Sequence, residues 1–229
     1  GQKVAKHGNY SVSSKSGSSD MLQSFGYKFT NDEATLQSHL EKANICFLHA
    51  PKFHPAMKAV GPTRKALALK TFFNMLGPLV NPSSPQNLML GTFNLEIARL
   101  YHYILQEEKS NYGIIHGLDG YDEISLTSGF KLFTKSGEEL INPEDIGQKR
   151  ILQSHIYGGD SVEAAAKIFK NILEGKGTKE QNNVVLTNAA FALKIIDAKK
   201  SFEDAFELSK DSLFGGKASQ CLHQLITNC

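Results

Sequence analysis

Along this chain, hydrophobic positions fall into short runs separated by polar turns in the first half and into helical spacing in the second. Lys3-Val4-Ala5 reads as the end of a strand that enters a Gly-containing turn at Lys6-His7-Gly8-Asn9. A Ser/Gly stretch runs from Ser11 to Ser19, after which Asp20 to Phe25 begins a short helix stopped by Gly26. Asn31 is placed to cap a second helix, Asp32 to Lys42, with acidic residues in the first turn where the helix dipole favours them. Ile45-Cys46-Phe47-Leu48 is an apolar run and predicts a buried strand. It leaves through His49-Ala50-Pro51 into a helical stretch from Pro55 to Leu67, which Gly61-Pro62 must kink or split.

Further strands are predicted at Leu88–Phe93 and Tyr112–His116, on either side of a helix from Leu95 to Glu107. That order is the strand-helix-strand signature of an α/β layer. Ile124–Thr127 and Phe130–Thr134 read as an antiparallel excursion turning at Ser128-Gly129. From Asp160 onward the pattern is helical, with capping spacings at Asp160…Glu163, Thr178…Gln181 and Ser201…Asp204. The fold class is therefore α/β, with the helices around 55–80 packing elsewhere.

Composition narrows the function classes. The 229 residues are 41% hydrophobic and 21% charged, ordinary for a globular chain. No apolar run approaches the roughly 18 residues of a membrane-spanning helix, so no membrane partner is expected. Three cysteines at no metal-ligand spacing suit a reducing cytoplasm better than a disulfide framework. A net charge of +2 demands no nucleic-acid surface. The first 28 residues nevertheless hold Lys3, Lys6, Lys15 and Lys28 against Asp20 alone, which hints at an anion nearby.

Three constellations carry chemistry. Lys6 to Ser18 offers two ammonium groups, several hydroxyl donors and Gly8, and ends at a helix N-terminus; it reads either as a phosphate cradle or as a flexible Gly/Ser turn. Met57, Gly61 and Arg64 share a face if one helix persists through the kink, a setting that suits an aromatic carboxylate, although spacing alone favours a solvated arginine. Asp122-Glu123, after Asp119 in a strand-to-loop junction, suits a hard, largely hydrated cation or an ordinary polar loop. His39, His102, His155 and His223 have no partners at ligand spacing and receive no role.

The residues from Lys6 to Ser14, followed by Ser16-Gly17-Ser18, resemble the phosphoribosyl-pyrophosphate loop of the anthranilate phosphoribosyltransferases. His49-Ala50-Pro51-Lys52-Phe53-His54-Pro55-Ala56-Met57-Lys58 resembles the same family's anthranilate-binding helix, and Lys70 to Pro82 is its most family-specific stretch. The likeness spans the chain and is densest from Lys3 to Glu123. It implies a phosphoribosyltransferase/nucleoside-phosphorylase-like central sheet flanked by helices, with remnants of a small α-helical domain. Residues 1–50 and 83–229 would form the donor-binding domain and residues 51–82 the helical remnant. It further implies that Lys6, His7, Gly8, Asn9, Tyr10, Ser11, Val12, Ser13, Ser14 and Ser18 contact phosphoribosyl pyrophosphate. Asn9, Ala50, Pro51, His54, Met57, Arg64 and Gly77 would contact anthranilate, and Asp122 and Glu123 would bind Mg²⁺. Tyr10 stands where the family often has Arg.

The implied activity is transfer of phosphoribosyl to the amine of anthranilate, in tryptophan synthesis, by a cytoplasmic homodimer. The family's Gly-Thr-Gly-Gly-Asp turn and Asn-Ile-Ser-Thr segment do not occur here, so upstream sequence is expected to be missing and this chain alone to be inactive. No general base is legible. Three rivals compete: a nucleic-acid-binding paralogue, a pyrimidine nucleoside phosphorylase and a non-catalytic subunit of a split enzyme. The intact Lys6-His7-Gly8-Asn9 run and the modest charge disfavour the first, and the absence of a Gly-His-Thr-Gly-Gly-Thr run disfavours the second.

Overall fold

The computed structural model describes residues 1–10, 16–55 and 75–227. In chain order its principal elements are β1 (Val4–Gly8), α1 (Ser18–Ser24), α2 (Glu33–Lys42), β2 (Ile45–His49), α3 (Ala50–Phe53), β3 (Asn87–Gly91), α4 (Leu95–Leu105), β4 (Asn111–Gly117), β5 (Phe130–Thr134), β6 (Gly137–Ile141), α5 (Val162–Leu173), α6 (Lys179–Ile196), α7 (Phe202–Phe214) and α8 (Lys217–Thr227). They form two compact units, one of residues 1–84, 158–170 and 217–229, the other of 85–157 and 171–216.

In the first unit β1 and β2 pair in parallel, with Val4 opposite Ile45 and Gly8 opposite His49. β2 is apolar along its length because both its faces are covered. Phe47 packs with Leu22, Tyr27, Ala43 and Leu225 on one side. Cys46 and Leu48 pack with Leu36 on the other. Pairing with β2 carries β1 through Gly8, so the turn expected at Lys6–Asn9 begins later than its composition suggests. The N-cap of α2 is Asp32 rather than Asn31: its Oδ2 accepts from Thr35 N–H at 2.8 Å and from the Thr35 hydroxyl at 2.6 Å.

The second unit carries a four-stranded sheet in the order β3-β4-β5-β6. β3 and β4 are parallel with α4 between them, as the strand-helix-strand pattern predicts. β5 returns antiparallel to β4 and pairs with β6 through a tight turn at Lys135-Ser136. The expected excursion is thus displaced by one strand, and residues 124–127 are a loop. Their alternation mimics a strand because Ile124 and Leu126 are both buried in the core, while Leu126 takes a left-handed φ of 61° that no strand tolerates. The backbone is satisfied otherwise: the Leu126 carbonyl accepts from Ile151 N–H at 3.0 Å.

Helices α6 and α7 close this core with Ala190, Phe191, Phe202 and Ala205, set against Ile115, Phe130 and Leu132. Thr178 and Ser201 cap them as their spacing predicts, accepting from Gln181 N–H at 3.2 Å and Asp204 N–H at 3.0 Å. The cap of α5 lies one residue later than expected: Ser161 Oγ, not Asp160, accepts from Ala164 N–H at 3.2 Å.

Phe191 is 2% exposed and meets Phe130 edge-on at 5.3 Å between ring centroids. Phe191→Ala is expected to lower unfolding stability by about 3–5 kcal/mol in chemical denaturation, since it removes both transfer energy and packing. A loss below about 1 kcal/mol would mean that this core is not the one that holds the unit together.

Candidate functional site

Strand β1 delivers the first predicted site residues at its carboxyl end. Lys6 places its ammonium 5.8 Å from the Phe47 ring centroid. His7 is held by two ring bonds. Its Nδ1–H donates to the Gly77 carbonyl at 3.0 Å, and its Nε2 lies 3.2 Å from His54 Nε2. Three predicted residues from separate parts of the chain, His7, His54 and Gly77, are therefore in direct contact. Burial, and secondarily the nearby His54 and Lys6, push the His7 imidazole below its ordinary value, against the opposing pull of the Gly77 carbonyl. Asn81 ties the same turn to the strand, its Nδ2 donating to the Ala5 carbonyl at 3.1 Å.

Gly8 lies against the Phe47 ring, where an added Cβ would sit 3.4 Å from Cζ. The exposed Asn9 accepts from Tyr10 N–H at 2.8 Å. Tyr10 turns toward an aromatic cluster, edge-on to His49 at 4.8 Å, while His49 stacks on Phe29 at 4.3 Å. A cleft of about 550 Å³ opens there, lined by Tyr10, Tyr27, Phe29, His49, Pro51 and Lys52. It brings together Tyr10 and Pro51, predicted from the sequence to contact different substrates. Ala50 and Pro51 begin the four-residue α3, whose N-cap is His49. His49 is buried, with Nδ1 3.4 Å from the Ser19 hydroxyl, and burial, then Lys52, lowers its pKa.

Ser18 is the first residue of α1. The amide just before it is not open to a phosphate, because Asp20 Oδ2 accepts from Gly17 N–H at 2.9 Å. Ser11, Val12, Ser13, Ser14, Met57 and Arg64 lie outside the described residues, so the shared face of Met57, Gly61 and Arg64 does too.

In the second unit Asp122 and Glu123 are exposed in the loop after β4. Their placement has causes that sequence reasoning missed. The loop lies directly on Gly91 at the end of β3: a Cβ there would overlap the Asp122 carbonyl oxygen and come within 2.8 Å of its carbon. Beyond the pair, Asn188 on α6 clamps Ile124 through both backbone groups, accepting from its N–H at 3.1 Å and donating to its carbonyl at 2.8 Å. Asp119 accepts from the Thr127 hydroxyl and acts within the loop, in keeping with a turn residue. An isolated Gly at a strand end is a signal of close backbone approach. Asn188 carries no such signal, since its partner lies 64 residues away.

Among the described residues, no group of three His, Cys, Asp or Glu side chains stands together as a metal cage. Two adjacent exposed carboxylates fit instead a cation that keeps most of its water, as Mg²⁺ does beside a diphosphate.

The family profile described as "Glycosyl transferase family, a/b domain" matches residues 1–219. The anthranilate phosphoribosyltransferase of Flavobacterium johnsoniae is 55% identical over 225 residues, 98% of this chain and 68% of that protein. The chain belongs to the anthranilate phosphoribosyltransferase family. The Cytophaga hutchinsonii protein of that name is 49% identical over 99% of this chain and 69% of its own length. Among solved structures, the Thermus thermophilus enzyme superimposes with a TM-score of 0.90 at 30% identity, covering 100% of this chain and 69% of its own. The Saccharomyces cerevisiae enzyme, in complex with PRPP and Mg, gives 0.89 at 26% identity over 99% of this chain and 64% of its own. The chain thus spans about two thirds of the length of these family members.

Two tests follow from this geometry. Gly91→Ala must displace the Asp122 carbonyl or the strand end, so stability is expected to fall by about 1–3 kcal/mol. Unchanged denaturation midpoints would show that the loop yields freely. The two depressed histidines, His7 and His49, bind fewer protons folded than unfolded, so stability rises with pH through their titration. Their contribution is complete above the unfolded value of about 6.5 and is lost as pH falls through the lower folded values. Melting temperature should therefore drop between about pH 7.5 and pH 5, and drop less in His7→Phe. An equal drop in both proteins would remove His7 from the account.

Proposed function

We propose that this chain serves the transfer of phosphoribosyl from phosphoribosyl pyrophosphate to the amine of anthranilate, giving phosphoribosyl anthranilate and pyrophosphate. The observation that carries the reading is the 55% identity over 98% of the chain, joined to a β1 that ends in Lys6, His7 and Gly8 and leads into Asn9 and Tyr10. The amine nitrogen attacks the anomeric carbon as pyrophosphate departs with inversion. Bond breaking leads, so positive charge builds on the sugar and negative charge on the leaving group. Alignment of two substrates and stabilisation of departing charge are the protein's tasks.

Each predicted residue has a part in that work. Lys6, His7, Gly8, Asn9, Tyr10, Ser11 to Ser14 and Ser18 engage the donor, Lys6 supplying a fixed positive charge. Arg64 pairs with the anthranilate carboxylate in a bidentate geometry, with Asn9, Ala50, Pro51, His54, Met57 and Gly77 around the ring. Asp122 and Glu123 would hold Mg²⁺, which when bound neutralises charge on the diphosphate. Assignment of residues 51–82 to a small helical domain, the homodimer and the cytoplasmic location belong to the same reading. Among the described residues no helix is long and apolar enough to cross a membrane.

The decisive assay follows anthranilate fluorescence in the presence of phosphoribosyl pyrophosphate and Mg²⁺, using the full-length protein. Loss of fluorescence that needs both the donor and the metal is expected. Lys6→Ala should lower kcat/KM for the donor by about 10–100-fold, the loss of one charge-assisted contact. Turnover indifferent to Lys6, or no turnover at all, would refute the assignment.

A further inference from the structure

The contact among His7, His54 and Gly77 fixes where the protons sit, and that has a chemical consequence. A carbonyl oxygen can only accept, so His7 Nδ1 must carry the hydrogen that reaches Gly77 at 3.0 Å. A neutral imidazole holding its proton on Nδ1 has only a lone pair at Nε2. Burial, and after it the neighbouring His54 and Lys6, disfavour a second proton on His7. The 3.2 Å contact then requires His54 to donate from its own Nε2–H. With a single ring proton, His54 keeps its lone pair on Nδ1, and among the described residues no hydrogen bond occupies that nitrogen.

We propose that His7 is a positioning residue that locks His54 in the Nε2–H tautomer, and that His54 Nδ1 is the proton acceptor for the attacking amine. The inference rests on the transferase reading above and supplies the base that the sequence leaves unassigned. The balance is simple. The amine nitrogen forms its bond to the anomeric carbon, and the carbon–oxygen bond to pyrophosphate breaks with its electron pair on oxygen. The nitrogen, now cationic, gives one proton to His54 Nδ1, which passes it to water. A cationic anilinium is a strong acid, so a neutral imidazole within reach takes the proton without further activation. His7 itself does not touch the reacting atoms in this scheme; it acts through His54.

The arrangement is pH-sensitive in a defined way. The groups acting on His7 are Lys6 on its own strand, His54 at the end of α3 and the Gly77 carbonyl from the turn packed on β1. His49 on β2 faces Ser19 and Phe29 instead, and Lys52 on α3 acts on His49. Acid that protonates His7 leaves two donors facing each other at the Nε2 contact and breaks the lock.

The test combines nitrogen NMR with kinetics in the full-length protein. ¹⁵N shifts of the His54 ring should report the Nε2–H tautomer in the wild type and a mixture in His7→Phe, which keeps a ring but no nitrogen. His54→Gln should lose about 10²-fold in kcat and lose the acidic limb of the pH–rate profile, with the KM for anthranilate changing far less. An Nδ1–H tautomer for His54, or one unmoved by His7→Phe, overturns the lock. An acidic limb that survives in His54→Gln overturns the proton acceptor, because a purely structural role would not erase it. A wild-type protein with the expected tautomer and no transferase activity would sink the assigned reaction, and the acceptor role with it, while the lock stood.

Discussion

Parallel pairing forces a strand to hand its chain to a loop at the carboxyl end, and both units of this protein keep their candidate chemistry at such ends. β1 finishes at Gly8 opposite His49 of β2, and β3 finishes at Gly91 beside β4, whose loop carries Asp122 and Glu123. Ladder hydrogen bonds fix the strand, so the loop starts from a rigid point. In α/β sheets that edge is where ligands are bound, because the backbone there is free to turn toward them. The rest of each unit exists to hold these ends still. β2 is buried on both faces, and α6 reaches across to the loop after β4 with the side chain of Asn188.

Much of this was legible in the residues themselves. The apolar run at Ile45–Leu48, the strand-helix-strand order from 88 to 116 and the caps Thr178 and Ser201 all rest on local chemistry that one sequence displays. The failures share a cause. Residues 124–127 alternate like a strand because alternate side chains reach the core, yet their backbone partners are Ile151 and Asn188, far along the chain. The caps of α2 and α5 slipped by one residue because two adjacent side chains could each accept the free amides. Neighbouring candidates of similar strength are separated only by geometry.

The site shows the same division. Lys6 to Tyr10, Asp122 and Glu123 stand out as candidates from residue types and the likeness they carry, whereas the contact of His7 with His54 and Gly77 joins positions 47 and 70 residues apart. No periodicity reports such a meeting. Gly91 was visible as a glycine ending a strand, but only coordinates show what lies on it. Residue types suited to binding are easier to read than residues that hold them in place, since the latter owe their identity to a distant partner.

Tyr10 has a consequence of its own. Its ring lies against His49 and Phe29. Ring packing is indifferent to dissolved ions, whereas attraction between separated charges fades over about 8–10 Å at physiological ionic strength. Where the chain leaves β1 it is anchored by an uncharged aromatic contact, which concentrated electrolyte leaves in place.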